Sequence, residues 1–314
     1  MDSKTCPKCR ELLRFNPNVR LGERVTDYAN CHAYCEKCGI GISNCRNPKQ
    51  RTYVYKDLAD NLADPQSKDR YLRVMAQALN QRNRKNKVRR SRFEKSEDSL
   101  TWSVFSHLEE RGMLAAAARA LTGFDWDASI DVLYWGYNDQ GPETLCEQLV
   151  KTLKDLGESA RSFSEPDLIL HSSQTGLAFV EVKYASPNPS RFELWKARRY
   201  LDAGDAYLQP NCDSLQHYEL LRNWVIGCLL AAQLDLPFWL INLVRRGKET
   251  AVECDFGQFL RQDKGHRFRR AEWEGLFESL WPVLREPDDE KFWRYVRTRT
   301  IYFQPVFKQE KSQT

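Results

Sequence analysis

The chain has 314 residues, of which 41% are hydrophobic and 29% are charged, and its formal net charge at pH 7 is +5. This composition is typical of a globular protein with one large domain, or with one domain and a small appendage. The chain has no apolar run close to the roughly 20 residues of a membrane span, and residues 1–4 lack the features of a signal peptide. The sequence therefore predicts a cytoplasmic protein.

Six of the ten cysteines fall within the first 45 residues. Clustered cysteines in a chain without a signal peptide bind metal more often than they form disulfides. Two C-x-x-C pairs, 25 residues apart, predict a tetrahedral site for a structural Zn²⁺ ion in a zinc ribbon over residues 1–54. The cysteines of these pairs are Cys6, Cys9, Cys35 and Cys38. Cys31, His32 and Cys45 are alternative ligands.

A helical spacing of apolar residues from Tyr55 to Arg82 leads into a strongly basic segment. Residues 82–92 include seven basic side chains and no acid. The segment can be a solvated linker, or an arm that binds phosphates with salt-dependent affinity. We favour the arm and assign residues 55–95 to a helical, basic linker. Its expected DNA contacts are Arg84, Lys85, Lys87, Arg89 and Arg90.

Three elements are predicted next along the chain. Ser96 or Asp98 is expected to cap a helix with an apolar face. Residues 131–137 predict the first strand of a core sheet, and residues 143–156 predict an amphipathic helix.

Two β-forming runs, residues 165–170 and 177–184, flank a polar turn that ends in Gly176, and they predict a β-hairpin. With the turn centred in the polar segment, Asp167 and Glu181 lie opposite each other. Directly paired residues on one face of a hairpin have Cβ atoms about 5 Å apart.

Two carboxylates this close repel each other unless a cation lies between them. The oxygen ligands of Asp167 and Glu181 favour Mg²⁺ or Mn²⁺. Alternation along the strand places Lys183 on the same face as Glu181, where it can hold a water molecule or a phosphate oxygen. This combination predicts a metal site that hydrolyses a phosphodiester. The alternative is a surface hairpin with solvated charges.

This part of the sequence resembles the motif of the PD-(D/E)XK nuclease superfamily. A Pro-Asp pair ends at Asp167, 13 residues follow, and the motif closes with Glu181-Val182-Lys183. The resemblance implies an α/β restriction-endonuclease-like fold with an αβββαβ core and added helices over residues 96–314. It also implies a Mg²⁺-dependent DNA endonuclease of bacterial restriction or phage defence that leaves a 5′-phosphate and a 3′-hydroxyl. Such enzymes often act as homodimers or with a partner subunit.

In nucleases of this superfamily, a helix before the first core strand often supplies a further acidic ligand. Glu97 is the choice that the resemblance favours in this chain, ahead of Glu109, Glu110 and Glu147.

After the hairpin, a helix is predicted over residues 191–201, and the resemblance places its Lys196 and Arg199 beside the DNA backbone. A longer helix follows at residues 213–234, and a strand at residues 237–244 is expected to close the sheet. The remaining predicted elements are helices at 271–284 and 288–297 and an edge strand at 300–307.

Residues 216–223, in the longer helix, resemble a helix of bacterial restriction-endonuclease-like proteins, with Glu219 where glutamine is expected. The chain contains no glycine-rich phosphate loop, no Ser-His-Asp order and no H-E-x-x-H motif. Two alternatives to a DNA endonuclease remain: a non-catalytic nucleic-acid-binding or scaffold protein, and an RNA-cleaving nuclease.

Overall fold

The computed structural model of the protein describes residues 5–47, 50–188, 194–210 and 215–299, which form two β-sheets and ten α-helices. The predicted strand at residues 300–307 lies outside these ranges, as do the predicted first residues of two helices, Arg191 and Asp213. Within the described ranges, every helix is too short or too polar to cross a bilayer.

The amino-terminal sheet contains four antiparallel strands that pair in chain order. They are β1 Arg14–Phe15, β2 Ala33–Cys35, β3 Ile40–Ile42 and β4 Tyr53–Tyr55. A side chain on Gly41 would place its Cβ atom only 2.5 Å from the Cys31 sulfur. Glycine at this position therefore lets the buried Cys31 pack directly against strand β3.

The segment with the helical spacing, residues 55–82, contains two separate short turns before its first α-helix. Asp57 accepts a hydrogen bond from the Ala59 N–H group, and Asp64 accepts one from the Gln66 N–H group. These aspartates start 3₁₀ turns. The α-helices of this region are α1 Lys68–Gln77 and α2 Arg84–Arg90, so most of the basic segment is helical.

The second sheet has five strands in spatial order β5-β6-β7-β8-β9. Strands β5, β6 and β7 are antiparallel, whereas β8 is parallel to β7 and β9 is parallel to β8. Their bounds are β5 Asp131–Tyr134, β6 Leu168–Ser172, β7 Gly176–Val182, β8 Phe238–Val244 and β9 His266–Glu272. The hairpin β6–β7 and the strand β8 are confirmed.

Strand β8 does not close the sheet as predicted, because β9 pairs along its outer side. The sequence of β9, His-Arg-Phe-Arg-Arg-Ala-Glu, buries only Phe268 and Ala271 and so lacks the pattern of a buried strand. Strand β5 is also shorter than predicted. Its chain turns at Trp135 and Gly136, which have φ values of 51° and 83°.

Helices cover both faces of the second sheet. Val180 and Val182 of β7 pack into one core together with residues of α1, α3, α4, α9 and α10. Leu177 and Phe179 face the opposite core, with residues of α5, α6, α7 and α8. The bounds are α3 Glu97–Glu110, α4 Leu114–Thr122, α5 Glu143–Asp155, α6 Leu194–Ala203, α7 Tyr218–Leu234, α8 Val252–Asp255, α9 Trp273–Leu280 and α10 Asp289–Thr298. Alternation therefore directs Glu181 toward the side of α6 and α7.

Candidate active site

The register of the β6–β7 hairpin brings the two predicted carboxylates together. Leu168 pairs with Val180, so Asp167, one residue earlier, lies opposite Glu181, one residue later. The Val182 N–H group donates a 2.8 Å hydrogen bond to Asp167 Oδ2. This bond fixes the aspartate at the end of the hairpin ladder, beside the glutamate.

Lys183 joins two acidic side chains from different elements. Its Nζ atom donates to Glu181 Oε1 at 2.6 Å and to Glu219 Oε2, on helix α7, at 3.0 Å. The second oxygen of Glu181 accepts a 2.8 Å hydrogen bond from Asn223 Nδ2, also on α7. Glu181 is only 4% exposed and Asn223 is fully buried. The site is therefore held by β7 and α7 together.

The charges of these groups perturb one another. The pKa of Asp167 is raised well above its ordinary value, mainly because the side chain is buried and secondly because Glu181 is negatively charged. Burial also raises the pKa of Glu181, although the Lys183 ammonium opposes this effect. Desolvation disfavours the charged form of Lys183, but Glu181 and Asp167 outweigh it and raise the lysine pKa. Lys87 and Arg222 act in the same direction as Lys183, the former on Asp167 and the latter on Glu181, because a nearby positive charge favours the ionised form of an acid.

Glu97 lies in the same cleft as these groups and caps the chain after β7. Its Oε1 atom accepts hydrogen bonds from the Tyr184 N–H group at 2.9 Å and from the Ser186 hydroxyl at 2.8 Å. Helix α3, which carries Glu97, is capped by Ser96, one of the two predicted caps, whose hydroxyl oxygen accepts a hydrogen bond from the Ser99 N–H group. The alternative acids Glu109, Glu110 and Glu147 do not line the cleft.

The cleft has a volume of about 980 Å³ and is lined by basic and acidic side chains from several elements. The acidic ones are Glu97, Asp98, Glu158, Glu165, Asp167, Glu181 and Glu219. Asp167, Glu181 and Lys183 belong to its lining. The basic residues come from the amino-terminal sheet region, α2, the segment after α2, α6 and α7. They are Arg24, Lys87, Arg89, Arg90, Lys95, Lys196, Arg199 and Arg222.

Five of the seven basic residues predicted to contact DNA lie in this lining, namely Lys87, Arg89, Arg90, Lys196 and Arg199. Arg84 and Lys85 belong to the same helix as the first three but do not line the cleft. Arg84 instead donates from Nε to the Ala78 carbonyl oxygen at 2.7 Å, whereas Lys85 is exposed. The difference follows from the helical period, which directs only part of α2 toward the cleft.

Lys87, on helix α2, forms ion pairs with two acidic residues outside that helix. Its Nζ atom lies 2.5 Å from Glu165 Oε1 and 3.5 Å from Asp98 Oδ1. It also lies 5.4 Å from the centre of the Trp135 ring. Lys87 therefore links the basic helix to the chain just before Asp167, and these internal contacts offset part of its charge.

Sequence reasoning did not assign a role to Glu219, Arg222 or Asn223. They lie three and four residues apart on α7, and this spacing places them on one helix face. Arg222 lines the cleft, and its Nε atom is buried without a hydrogen-bond partner among the described residues. In the sequence, the signal for these three residues is that they form a polar face on a helix that is otherwise apolar.

The amino-terminal cysteines form a second candidate site. The Sγ atoms of Cys6, Cys9, Cys35 and Cys38 lie within 4.8 Å of one another, and no other group of three or more potential ligands in the described ranges is this compact. Four thiolates suit a structural metal such as zinc. The two alternative cysteine ligands form hydrogen bonds outside this cluster. The Cys31 thiol donates to the Asp27 carbonyl oxygen, and the Cys45 thiol donates to Gln50 Oε1.

The chain matches no protein-family model, no curated protein and no solved structure at a significant level.

Proposed function

We propose that this protein is a metal-dependent nuclease of the PD-(D/E)XK superfamily that hydrolyses phosphodiester bonds in DNA. The observation that carries the proposal is the pairing of Asp167 with Glu181, and the contact of Glu181 with Lys183, in a cleft lined by basic side chains. Basic walls attract a polyanion, and the carboxylates provide hard oxygen ligands where its backbone would lie.

The order of elements also supports the proposal. Helix α3 precedes three antiparallel strands, and the helices α6 and α7 then lead to β8, which is parallel to β7. This order agrees with the αβββαβ core that the sequence resemblance implies. Helices α4 and α5 and strand β9 are then additions to that core.

The donor atoms of the site fit Mg²⁺ or Mn²⁺, which prefer carboxylate oxygens and water. Asp167 and Glu181 would hold the ion, because burial raises the pKa of both acids and a bound cation would favour their charged forms. When bound, such an ion lowers the pKa of a coordinated water and stabilises charge on a phosphate.

The side chains around the carboxylates have distinct roles in this proposal. Lys183 orients the attacking water and stabilises negative charge on the phosphate. Glu219 and Asn223 hold Lys183 and Glu181 in place through the contacts described above. Arg222, whose buried Nε atom has no hydrogen-bond partner in the part of the chain that the structure describes, supplies a cation for a phosphate oxygen.

The test is cleavage of supercoiled plasmid, circular single-stranded DNA and RNA in Mg²⁺ or Mn²⁺. We expect the wild-type protein to cut DNA, and Lys183→Ala and Asp167→Ala to lower the rate by at least about a hundredfold. Lys151→Ala is the matched control, because Lys151 is exposed and lies outside the cleft lining. DNA that is bound tightly but left intact by the wild-type protein would support a non-catalytic binding protein, and cleavage of RNA alone would redirect the proposal to RNA.

A further inference from the structure

One tryptophan in the cleft lining differs from the others in the chain. Trp195, on α6, is 73% exposed and lines the same cleft as Glu181 and Lys183. The chain has nine tryptophans, and the other eight are buried or partly buried. Burying a large apolar side chain stabilises the folded protein. Because Trp195 is mostly exposed, its side chain adds little of this stabilisation.

The surroundings of Trp195 suit a nucleotide. Lys196 places its Nζ atom 5.1 Å from the centre of the indole ring, and Arg199 lies in the cleft lining one helical turn further along. An aromatic face beside cations is the arrangement by which proteins hold unpaired nucleotides, with the base stacked on the ring and the phosphate on the charges.

The depth of the reactive groups points to the same kind of substrate. The side chains of Glu181 and Lys183 are only 5% and 11% exposed. Arg24 near the amino-terminal sheet, Arg90 of α2 and Arg199 of α6 line the cleft around them. An unpaired strand can bend into such a cleft and has free base faces. A double helix keeps its base faces stacked inside, where Trp195 cannot reach them.

We propose that the cleft takes single-stranded nucleic acid, with a base stacked on Trp195 and the adjoining phosphates on Lys196 and Arg199. This inference rests on the proposed function for the reaction that follows binding. It deepens that function by naming an unpaired strand, or the unpaired segment of a branched or frayed duplex, as the substrate class.

The test is binding without cleavage, in Ca²⁺ and without Mg²⁺ or Mn²⁺. A labelled twenty-residue oligothymidine and a duplex of equal length are titrated with wild-type protein, Trp195→Ala and Trp195→Phe. Phe124→Ala is the control, because Phe124 is an exposed aromatic residue outside the cleft lining. We expect Trp195→Ala to weaken single-strand binding about tenfold to a hundredfold. Trp195→Phe should retain most of the affinity, and Phe124→Ala should leave it unchanged.

Quenching of indole fluorescence provides a second readout, since oligothymidine should quench the wild-type protein more than Trp195→Phe. Equal single-strand affinity for the wild type and Trp195→Ala would overturn the inference, as would tighter binding of duplex. The two proposals fail separately. Binding through Trp195 without cleavage of any nucleic acid would refute hydrolysis alone, whereas unimpaired cutting of duplex by Trp195→Ala would refute the single-strand substrate alone.

Discussion

Glu219 Oε2 lies 3.0 Å from the Nζ atom of Lys183, so the lysine bridges this glutamate and Glu181. Burial disfavours ionisation of Glu219, but Lys183 and Arg222 outweigh it and lower the glutamate pKa. The sequence resemblance predicts glutamine at position 219, where this chain has glutamate. A charged partner at this point holds the ammonium group more strongly than an amide would.

The first prediction concerns this ion pair. Glu219→Gln keeps an acceptor oxygen but removes the charge, which should cost about 1–2 kcal/mol of the interaction with Lys183. We expect the cleavage rate to fall about five- to thirtyfold. The pKa of Lys183 should also fall, because the negative charge of Glu219 helps to raise it.

Glu290→Gln is the matched control, since Glu290 is exposed and pairs with Arg294 on α10. An unchanged cleavage rate in Glu219→Gln would contradict a positioning role for Glu219.

The second prediction concerns Asp167, whose pKa is raised in the folded protein. The folded state then binds a proton more tightly than the unfolded state, so stability falls as pH rises from the unfolded pKa toward the folded pKa. Asp167→Asn removes this penalty while keeping an acceptor for the Val182 N–H group. We expect a gain on the order of 1 kcal/mol or more at neutral pH, declining as the pH approaches 4.

Chemical denaturation at several pH values, with and without Mg²⁺, measures this effect. Mg²⁺ should stabilise the wild type and leave Asp167→Asn unaffected. Asp125→Asn is the control, because the Asp125 side chain is 83% exposed. A destabilised Asp167→Asn at neutral pH would mean that the hydrogen bond outweighs the repulsion.

The third prediction concerns the cysteine cluster. Elemental analysis of the purified protein should find about one zinc ion per chain, as four thiolates require. Cys38→Ser should lose the ion and unfold at lower temperature, since structural zinc supplies folding free energy on the order of 10 kcal/mol.

Cys45→Ser should keep the metal, because the Cys45 sulfur bonds to Gln50 and lies outside the cluster. A folded wild-type protein free of zinc would remove the assignment.

The fourth prediction separates the two sides of helix α2. Arg89 and Arg90 line the cleft, whereas Lys85 of the same helix does not. Each lost phosphate contact should reduce the slope of log affinity against log salt by about 0.7 for a single strand. We therefore expect Arg89→Ala with Arg90→Ala to reduce the slope by about 1.4, and Lys85→Ala to leave it unchanged. Fluorescence anisotropy over a salt series makes the measurement, and equal slopes for both variants would place the nucleic acid elsewhere.

Local patterns in the sequence were enough to predict the hairpin and the cysteine pairs. The turn before Gly176 fixes the register of β6 and β7, and that register alone pairs Asp167 with Glu181. Likewise, each C-x-x-C pair forms within one tight turn. These features depend on residues close together in the chain, so their geometry can be worked out without the rest of the fold.

Other features could be found only in the tertiary structure. Strand β9 was missed because its polar sequence becomes a strand only by pairing with β8. Glu219 and Asn223 act on β7 from a helix about 40 residues away, and no local spacing records that contact.

The sequence by itself determined which acids pair and which thiols cluster, because short-range backbone geometry governs both. Packing decided which charges meet around Lys183, how deeply they are buried and which side of α2 faces the cleft. Burial and long-range Coulomb interactions depend on all the neighbours of a group at once, and only the folded chain brings those neighbours together.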